Sequence, residues 1–223
     1  GRRLTPPVAE EWRGWMALID TDPHRKIDRN THVVELRFMA RAPTRKRNTD
    51  RLRLGRKSNA GALYFVTCVT AFRHPWLGSE TNRIAIVELC EKLHETEGGD
   101  ILAAGVMPDH VHLIVRLDGV LTVGRWMARF KSQARQCTGY AGRWQRDFWE
   151  HRLKESESLE DYGLYVYLNP YRAGLLHQNQ AWLGWWVSET AFFRFAGSLR
   201  DGVAPSAWFE DDIARFDELK TGE

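Results

Sequence analysis

The chain has 223 residues, of which 43% are hydrophobic and 27% are charged, and its formal net charge is +3. This composition is that of an ordinary globular protein, and no apolar run approaches the ~20 residues that a membrane-spanning helix needs. We therefore expect no membrane-spanning segment and one sizeable domain with appendages.

The charge is unevenly distributed along the chain. Residues 1–57 contain 15 basic and 7 acidic side chains, residues 58–186 contain 13 and 14, and residues 187–223 contain 4 and 8. We predict a basic N-terminal extension or linker (1–57), a central domain (58–186) and an acidic C-terminal tail with a docked helix (187–223). A basic segment with few periodic apolar residues is typical of a solvated linker or of a contact with nucleic acid, and both interpretations stay open.

The central domain shows a readable order of secondary structure. Runs of β-branched and aromatic residues predict strands, and apolar residues at helical spacing predict helices. The predicted elements are a strand at 63–70, a helix at 81–97, strands at 101–106 and 110–117, a helix at 121–138 and a strand near 148–153. This β-α-β-β-α-β order predicts an α+β protein with a ferredoxin-like antiparallel sheet and helices on one face.

A further helix is predicted after this unit, over residues 159–169. Ser158 is a suitable N-cap, Asp161 follows three residues later, and Pro170 is expected to end the helix. This extra C-terminal helix carries Tyr165.

The cysteines bear on the cellular compartment. Cys68, Cys90 and Cys137 are odd in number and far apart, and the first residues lack the apolar segment of a signal peptide. We expect a cytoplasmic protein without a cysteine metal site.

Two histidines stand two residues apart on the strand predicted at 110–117. Side chains alternate along a strand, so His110 and His112 point to one face while Val111 points to the other. Neutral imidazole binds divalent cations, but two histidines need a third ligand from elsewhere. The alternative is a simple surface pair on a half-exposed strand.

A tyrosine and an asparagine lie one helical turn apart on the predicted 159–169 helix. Tyr165 and Asn169 therefore project from the same face, whereas Tyr167 points away and should pack or face solvent. The Asn169 carbonyl oxygen is a hard donor that Mg²⁺ or Mn²⁺ accepts beside imidazole. The alternative is ordinary packing with Asn169 as a helix cap.

Three motifs occur together in one order: MPDHVHLI at 107–114, WQRDFW at 144–149 and YVYLNPYRAGL at 165–175. With them the chain resembles the single-tyrosine HUH transposases, most closely the REP-associated tyrosine transposases of the IS200-like family. The resemblance implies a ferredoxin-like core and a single-stranded DNA substrate with a hairpin. It also implies a Mg²⁺ or Mn²⁺ ion held by His110, His112 and Asn169, with Tyr165 as the catalytic nucleophile.

The implied activity is that of a DNA transposase. Tyr165 would cleave DNA at hairpin sites, form a 5′-phosphotyrosine linkage, and allow the strand to be rejoined without ATP. Basic side chains near the motifs are suited to bind the DNA backbone. We predict this role for Arg125, Arg129, Lys131, Arg135, Arg143, Arg146 and Arg172.

Other functions stay open from the sequence alone. One is a domesticated, non-mobile DNA-binding protein of the same fold, and another is an RNA-processing ferredoxin-like domain. A small-molecule metallohydrolase has little support, because Asp109 is the carboxylate that adjoins the histidine pair. For the oligomeric state we expect a monomer and leave a dimer open.

Overall fold

The structure is a computed structural model, and it describes residues 60–94, 96, 98–139, 142–211, 216 and 219–222. The predicted N-terminal extension at 1–57 lies outside the described residues. In the described residues the strands are β1 (Leu63–Val69), β2 (Gly99–Val106), β3 (His110–Leu117), β4 (Trp149–Arg152) and β5 (Trp185–Val187). The helices are α1 (Glu80–Leu93), α2 (Val123–Cys137), α3 (Leu159–Arg172) and the short α4 (Trp208–Asp211).

The strands form one antiparallel sheet in the order β4-β1-β3-β2-β5. The first four positions are those of a ferredoxin-like sheet, so the predicted fold class is confirmed. The fifth strand was not predicted, because three residues are too short to show a period. It covers the edge of β2, where the Val106 N–H donates to the Gly184 carbonyl at 2.7 Å and the Ser188 N–H to the Leu102 carbonyl at 3.0 Å.

Both faces of the sheet are covered. Helices α1 and α2 contribute to a core with Val66, Cys68 and Val111 from the sheet. Helix α3 contributes to a second core on the other face, with Phe65 and Ile114. The two predicted helices share one face as expected, and α3 shields the opposite face, toward which the histidines of β3 point.

Helix α3 begins and ends through recognisable caps. The Ser158 hydroxyl accepts from the Asp161 N–H at 3.2 Å, which confirms the predicted N-cap. The expected end at Pro170 is wrong, because the helix continues to Arg172 and ends before Gly174 in the left-handed conformation (φ +67°). A proline in the last turn removes only its own N–H, and the Ala173 N–H still bonds to the Asn169 carbonyl at 2.9 Å.

Helix α3 approaches the sheet closely at Gly105 of β2. A Cβ atom at this position would lie 2.8 Å from Val166 Cγ1 and 3.1 Å from the Val166 carbonyl oxygen. The absence of a side chain at Gly105 therefore fixes the depth at which α3 packs, and with it the height of Tyr165 and Asn169 above β3.

We expect Gly105→Ala to lower the free energy of unfolding by ~1 to 3 kcal/mol, because neither the stiff valine nor the helix backbone can yield freely. Urea denaturation measures the change. The matched control is Gly124→Ala in α2, where an added Cβ meets no atom within 4 Å and alanine should stabilise the helix by up to ~1 kcal/mol. Equal effects of the two substitutions would contradict the close packing of α3.

None of the helices in the described ranges combines the length and apolar character that crossing a membrane requires.

Candidate metal and tyrosine site

The two histidines of β3 are buried beneath α3. His110 is 7% exposed and His112 is 0% exposed, and their Nε2 atoms lie 3.1 Å apart. The alternative of a surface pair on a half-exposed strand is therefore wrong. Two ligands at right angles on a small divalent cation are separated by about 3 Å, because each metal–ligand bond is about 2.1 Å long.

The outer nitrogen of His110 is held by a carboxylate. Its Nδ1 lies 2.6 Å from Asp109 Oδ1, and Asp109 Oδ2 accepts from the Arg73 guanidinium at 2.8 Å. Burial acts to raise the pKa of Asp109, but the hydrogen bond from His110 and the ion pair with Arg73 outweigh it and hold that pKa below its ordinary value. An ionised Asp109 requires a proton on Nδ1, so that in a neutral imidazole the lone pair is on Nε2, which faces His112.

The outer nitrogen of His112 is held by a threonine. Thr67 lies directly opposite His112 in the β1–β3 pairing, and its Oγ1 is 2.9 Å from His112 Nδ1. The Thr67 hydroxyl donates its single proton to the Thr221 carbonyl at 2.8 Å. Its oxygen must therefore accept from the His112 Nδ1–H, and the Nε2 lone pair of His112 also faces inward.

The third predicted ligand lies beside this pair. The Asn169 side chain is buried, and its Nδ2 is 3.2 Å from His112 Nε2. A 180° rotation of the amide presents Oδ1 at the same place. Two inward lone pairs 3.1 Å apart repel each other unless a cation or a proton lies between them, so His110, His112 and Asn169 fit a divalent cation.

The third candidate ligand, Asn169, is an amide and not one of the His, Cys, Asp or Glu side chains that most often bind metals in proteins. Among the residues that the structure describes, no group of three His, Cys, Asp or Glu side chains is placed to hold a metal. A site built on the histidine pair therefore depends on an amide oxygen and on oxygen atoms of a substrate or water, a donor set that suits Mg²⁺ or Mn²⁺.

Tyr165 lies against His112 and is 2% exposed. The edge of its ring faces His112, with ring centroids 5.5 Å apart, and Phe65 packs against both rings at 5.3 Å from His112 and 5.9 Å from Tyr165. Phe216 of the tail lies 5.7 Å from Tyr165, and the Arg172 guanidinium lies 5.1 Å from the Tyr165 ring. The structure thus places the tyrosine ring beside His112, which is itself in contact with His110.

The other tyrosines near it on α3 have structural contacts. The Tyr167 hydroxyl donates to the Gly202 carbonyl at 2.9 Å and its ring packs on Trp185, so the predicted packing of Tyr167 is confirmed. The Tyr162 hydroxyl accepts from the Lys220 N–H at 3.3 Å. Burial raises the pKa of both phenols. These contacts engage the hydroxyls of Tyr162 and Tyr167 with other segments, and Tyr165 is the tyrosine one helical turn from Asn169, whereas Tyr162 lies two turns away on the same face.

The predicted DNA-binding side chains differ in their surroundings. Most are exposed, but Lys131 is partly buried and its ammonium donates to the carbonyls of Gln145 and Asp147 at 2.8 and 3.1 Å. Lys131 therefore stabilises the loop before β4, and a DNA contact from it stays a prediction. The exposed members are Arg125, Arg135, Arg143, Arg146 and Arg172, and Arg129 is half-buried.

Sequence reasoning missed the residues that hold the histidines. Phe65 and Thr67 are two apart on β1 and so share the face of the sheet toward α3. Their alternation is visible in the sequence, but the pairing of Thr67 with His112 depends on the strand register, which the sequence does not provide. Asp109 was noted as a neighbour of the pair, without its link to Arg73.

We expect Thr67→Val to weaken Mn²⁺ binding by about 10- to 100-fold, because the His112 ring loses the acceptor that fixes its orientation and its inward lone pair. Titration followed by the electron paramagnetic resonance of free Mn²⁺ measures the affinity. Thr67→Ser keeps the hydroxyl and should restore binding. If Thr67→Val binds Mn²⁺ as tightly as the unchanged protein, the hydroxyl does not position His112.

Comparisons with known proteins find similar sequences over part of the chain. Residues 60–157 match the family model described as "Transposase IS200 like". This part of the chain is therefore similar to the IS200-like transposases, and the predicted resemblance is confirmed.

Among its relatives are proteins named as REP-associated tyrosine transposases. One from Haemophilus influenzae is 28% identical over 141 residues, covering 55% of this chain and 77% of the relative. One from Escherichia coli is 28% identical over 113 residues, covering 50% of this chain and 64% of the relative. A solved structure of a REP-associated tyrosine transposase bound to a REP hairpin is 26% identical, covers 54% of this chain and 73% of that chain, and gives a TM-score of 0.43.

Proposed function

We propose that this protein is a metal-dependent transposase that cleaves and rejoins single-stranded DNA at hairpin sites through a 5′-phosphotyrosine intermediate. The observation that carries the proposal is the packing of the Tyr165 ring against His112, whose Nε2 lies 3.1 Å from that of His110 and beside Asn169. The family match supports the reaction class. The hairpin substrate rests on the resemblance to REP-associated transposases.

The residues of the site divide the chemistry among them. His110, His112 and Asn169 would hold Mg²⁺ or Mn²⁺, which when bound polarises the phosphodiester and offsets the charge of the transition state. The Tyr165 oxygen attacks phosphorus as the bond to the 3′-oxygen breaks. The phenol loses its proton and the departing oxygen gains one, so the products are a 5′-phosphotyrosine and a free 3′-hydroxyl. Because the new bond keeps the phosphodiester energy, a 3′-hydroxyl can attack it and rejoin the strand.

Substrate access is limited in this conformation. Phe216 packs on Tyr165, the Arg172 guanidinium lies 5.3 Å from the Phe216 ring, and the Thr221 carbonyl is bonded to Thr67. The Phe216 ring therefore covers part of the Tyr165 ring, and we expect a DNA strand to displace it on binding at Tyr165.

We expect Phe216→Ala to raise the initial rate of covalent adduct formation several-fold, because it removes a ring that shields Tyr165. The rate is measured with labelled single strands in denaturing gels. Phe209→Ala is the matched control, since Phe209 packs on Tyr171 at 5.1 Å instead. A rate that is unchanged or lower in Phe216→Ala would show that Phe216 does not limit access.

The proposal is tested by incubating the protein and Mn²⁺ with a library of DNA hairpins that carry randomised single-stranded flanks. Strands labelled at the 3′ end should label the protein covalently, whereas strands labelled at the 5′ end should give shorter free products. The same sequences made as RNA form the comparison. Binding without any adduct would support the non-mobile DNA-binding protein, and cleavage restricted to RNA would support the RNA-processing domain.

A further inference from the structure

A fully exposed phenylalanine lies beside the site at the end of β1. Phe72 is 101% exposed, the highest value among the large hydrophobic residues of the described part of the chain. A single exposed apolar side chain needs no explanation by itself. At Phe72 the exposure coincides with an unusual backbone and with a link to the histidine pair.

The backbone at this point is strained. Phe72 has φ +58° and Arg73 has φ +54°, so two consecutive residues with side chains adopt the left-handed region. Such conformations cost ~1 to 3 kcal/mol each for bulky residues and persist only when their surroundings impose them. They occur preferentially at ligand-binding segments.

Hydrogen bonds impose this conformation. The Arg73 N–H donates to the Thr70 carbonyl at 3.1 Å, and the His74 N–H donates to the Ala71 carbonyl at 3.2 Å. The Thr70 hydroxyl is shared between the carbonyls of His74 and Asp109, at 2.8 and 2.9 Å. These hydrogen bonds fix the turn in a conformation in which the Phe72 ring is exposed to solvent.

The turn is connected to the histidine site through Asp109. The Thr70 N–H donates to the Asp109 carbonyl at 2.9 Å, and the Arg73 guanidinium pairs with the same Asp109 carboxylate that holds His110. Phe72 is therefore the sequence neighbour of Arg73, which contacts Asp109, and Asp109 in turn contacts His110.

The charge around Phe72 indicates the chemistry of that ligand. Arg73 is exposed and next in sequence, and exposed Arg143 is fixed beside the turn because its carbonyl accepts from the Ala71 N–H at 2.7 Å. An exposed aromatic ring on a turn with two exposed arginines suits single-stranded nucleic acid, whose phosphates pair with arginine and whose unpaired bases stack on aromatic rings.

We propose that Phe72 is a stacking platform for an unpaired base of the DNA strand that occupies the histidine site. This inference rests on the proposed function and extends it by naming the residue that holds the strand beside the scissile phosphodiester. Stacking does not distinguish strongly among bases, so Phe72 secures the position of the strand more than its sequence.

The test uses Phe72→Ala, Phe72→Trp and a matched control, Phe192→Ala. Phe192 is 87% exposed but lies after β5. Affinity for a fluorescent hairpin with single-stranded flanks is measured by anisotropy in the Tyr165→Phe background, so that cleavage does not interfere. We expect Phe72→Ala to weaken binding by about 5- to 100-fold, Phe72→Trp to bind within about 3-fold of the parent, and Phe192→Ala to be unchanged.

A second measurement identifies which base stacks on Phe72 and distinguishes stacking from nonspecific DNA binding. Abasic positions are placed one at a time along the flanks. At one position the missing base should weaken binding to the parent protein but have no further effect on Phe72→Ala, as a double-mutant cycle requires for a direct contact. Neither readout depends on strand cleavage, so failure of the stacking proposal is distinguishable from failure of the transposase proposal.

Three results would overturn the stacking role. One is equal affinity of Phe72→Ala and the parent for the single-stranded flanks. Another is an equal loss in Phe192→Ala. The third is additivity of Phe72→Ala with the missing base at all flanking positions, because a residue that stacks on a base cannot lose the same contact twice.

Discussion

Tyr165→Phe is expected to abolish the covalent protein–DNA adduct and to lower strand cleavage by at least ~10⁴-fold, the scale of losses that follow removal of a catalytic nucleophile. The substitution removes only the hydroxyl oxygen. The ring contacts with His112 and Phe65 remain, so the packing of α3 and the affinity for DNA should be retained.

Two neighbouring tyrosines provide matched controls for this experiment. Tyr162→Phe removes the acceptor of the Lys220 N–H, and Tyr167→Phe removes the donor to Gly202. We expect both variants to form the adduct within a few-fold of the unchanged rate. An adduct that persists in Tyr165→Phe but disappears in Tyr162→Phe or Tyr167→Phe would assign the nucleophile to a different tyrosine of α3.

Loss of either histidine is expected to weaken Mn²⁺ binding by more than ~100-fold and to abolish cleavage. The two imidazoles are two of the three side chains that we propose to bind the ion. We choose His110→Ala and His112→Gln, since glutamine fills more of the fully buried position than alanine does. Mn²⁺ affinity is measured by calorimetry, and circular dichroism verifies the fold.

The control for the histidine experiment is His151→Gln. His151 lies on β4 and its Nε2 is 2.7 Å from Glu157 Oε1, so it is a histidine with a carboxylate partner outside the β3 pair. Its substitution should leave Mn²⁺ affinity unchanged. Folded His110→Ala and His112→Gln proteins that still bind Mn²⁺ normally would show that the imidazoles do not hold the ion.

Much of the fold could be predicted because it depends on local patterns. The strand at His110–Leu117 is predicted with its observed bounds, since the segment is rich in β-branched and apolar residues and the preceding Pro108 marks the turn. Helix α3 was extended beyond its predicted end, because a proline in the last turn costs too little to stop it. The short strand β5 has no local period and becomes a strand only by pairing with β2.

The candidate site was predictable where its residues share one element. His110 and His112 alternate on a strand, and Tyr165 and Asn169 repeat on a helix, so each pair follows from backbone geometry. The roles of Thr67 and Phe216 depend on contacts between segments distant in sequence. Such contacts follow from strand register and from packing of the tail, which no local pattern encodes.

The most direct test of the proposed chemistry is peptide mapping of the covalent adduct by mass spectrometry. After incubation with Mn²⁺ and a cleavable hairpin strand, nuclease and protease digestion should leave a 5′-nucleotide attached to the peptide that contains Tyr165, at the Tyr165 oxygen. A nucleotide attached to a different residue, or DNA cleaved with no modified peptide at any stage, would contradict the role of Tyr165 as the nucleophile.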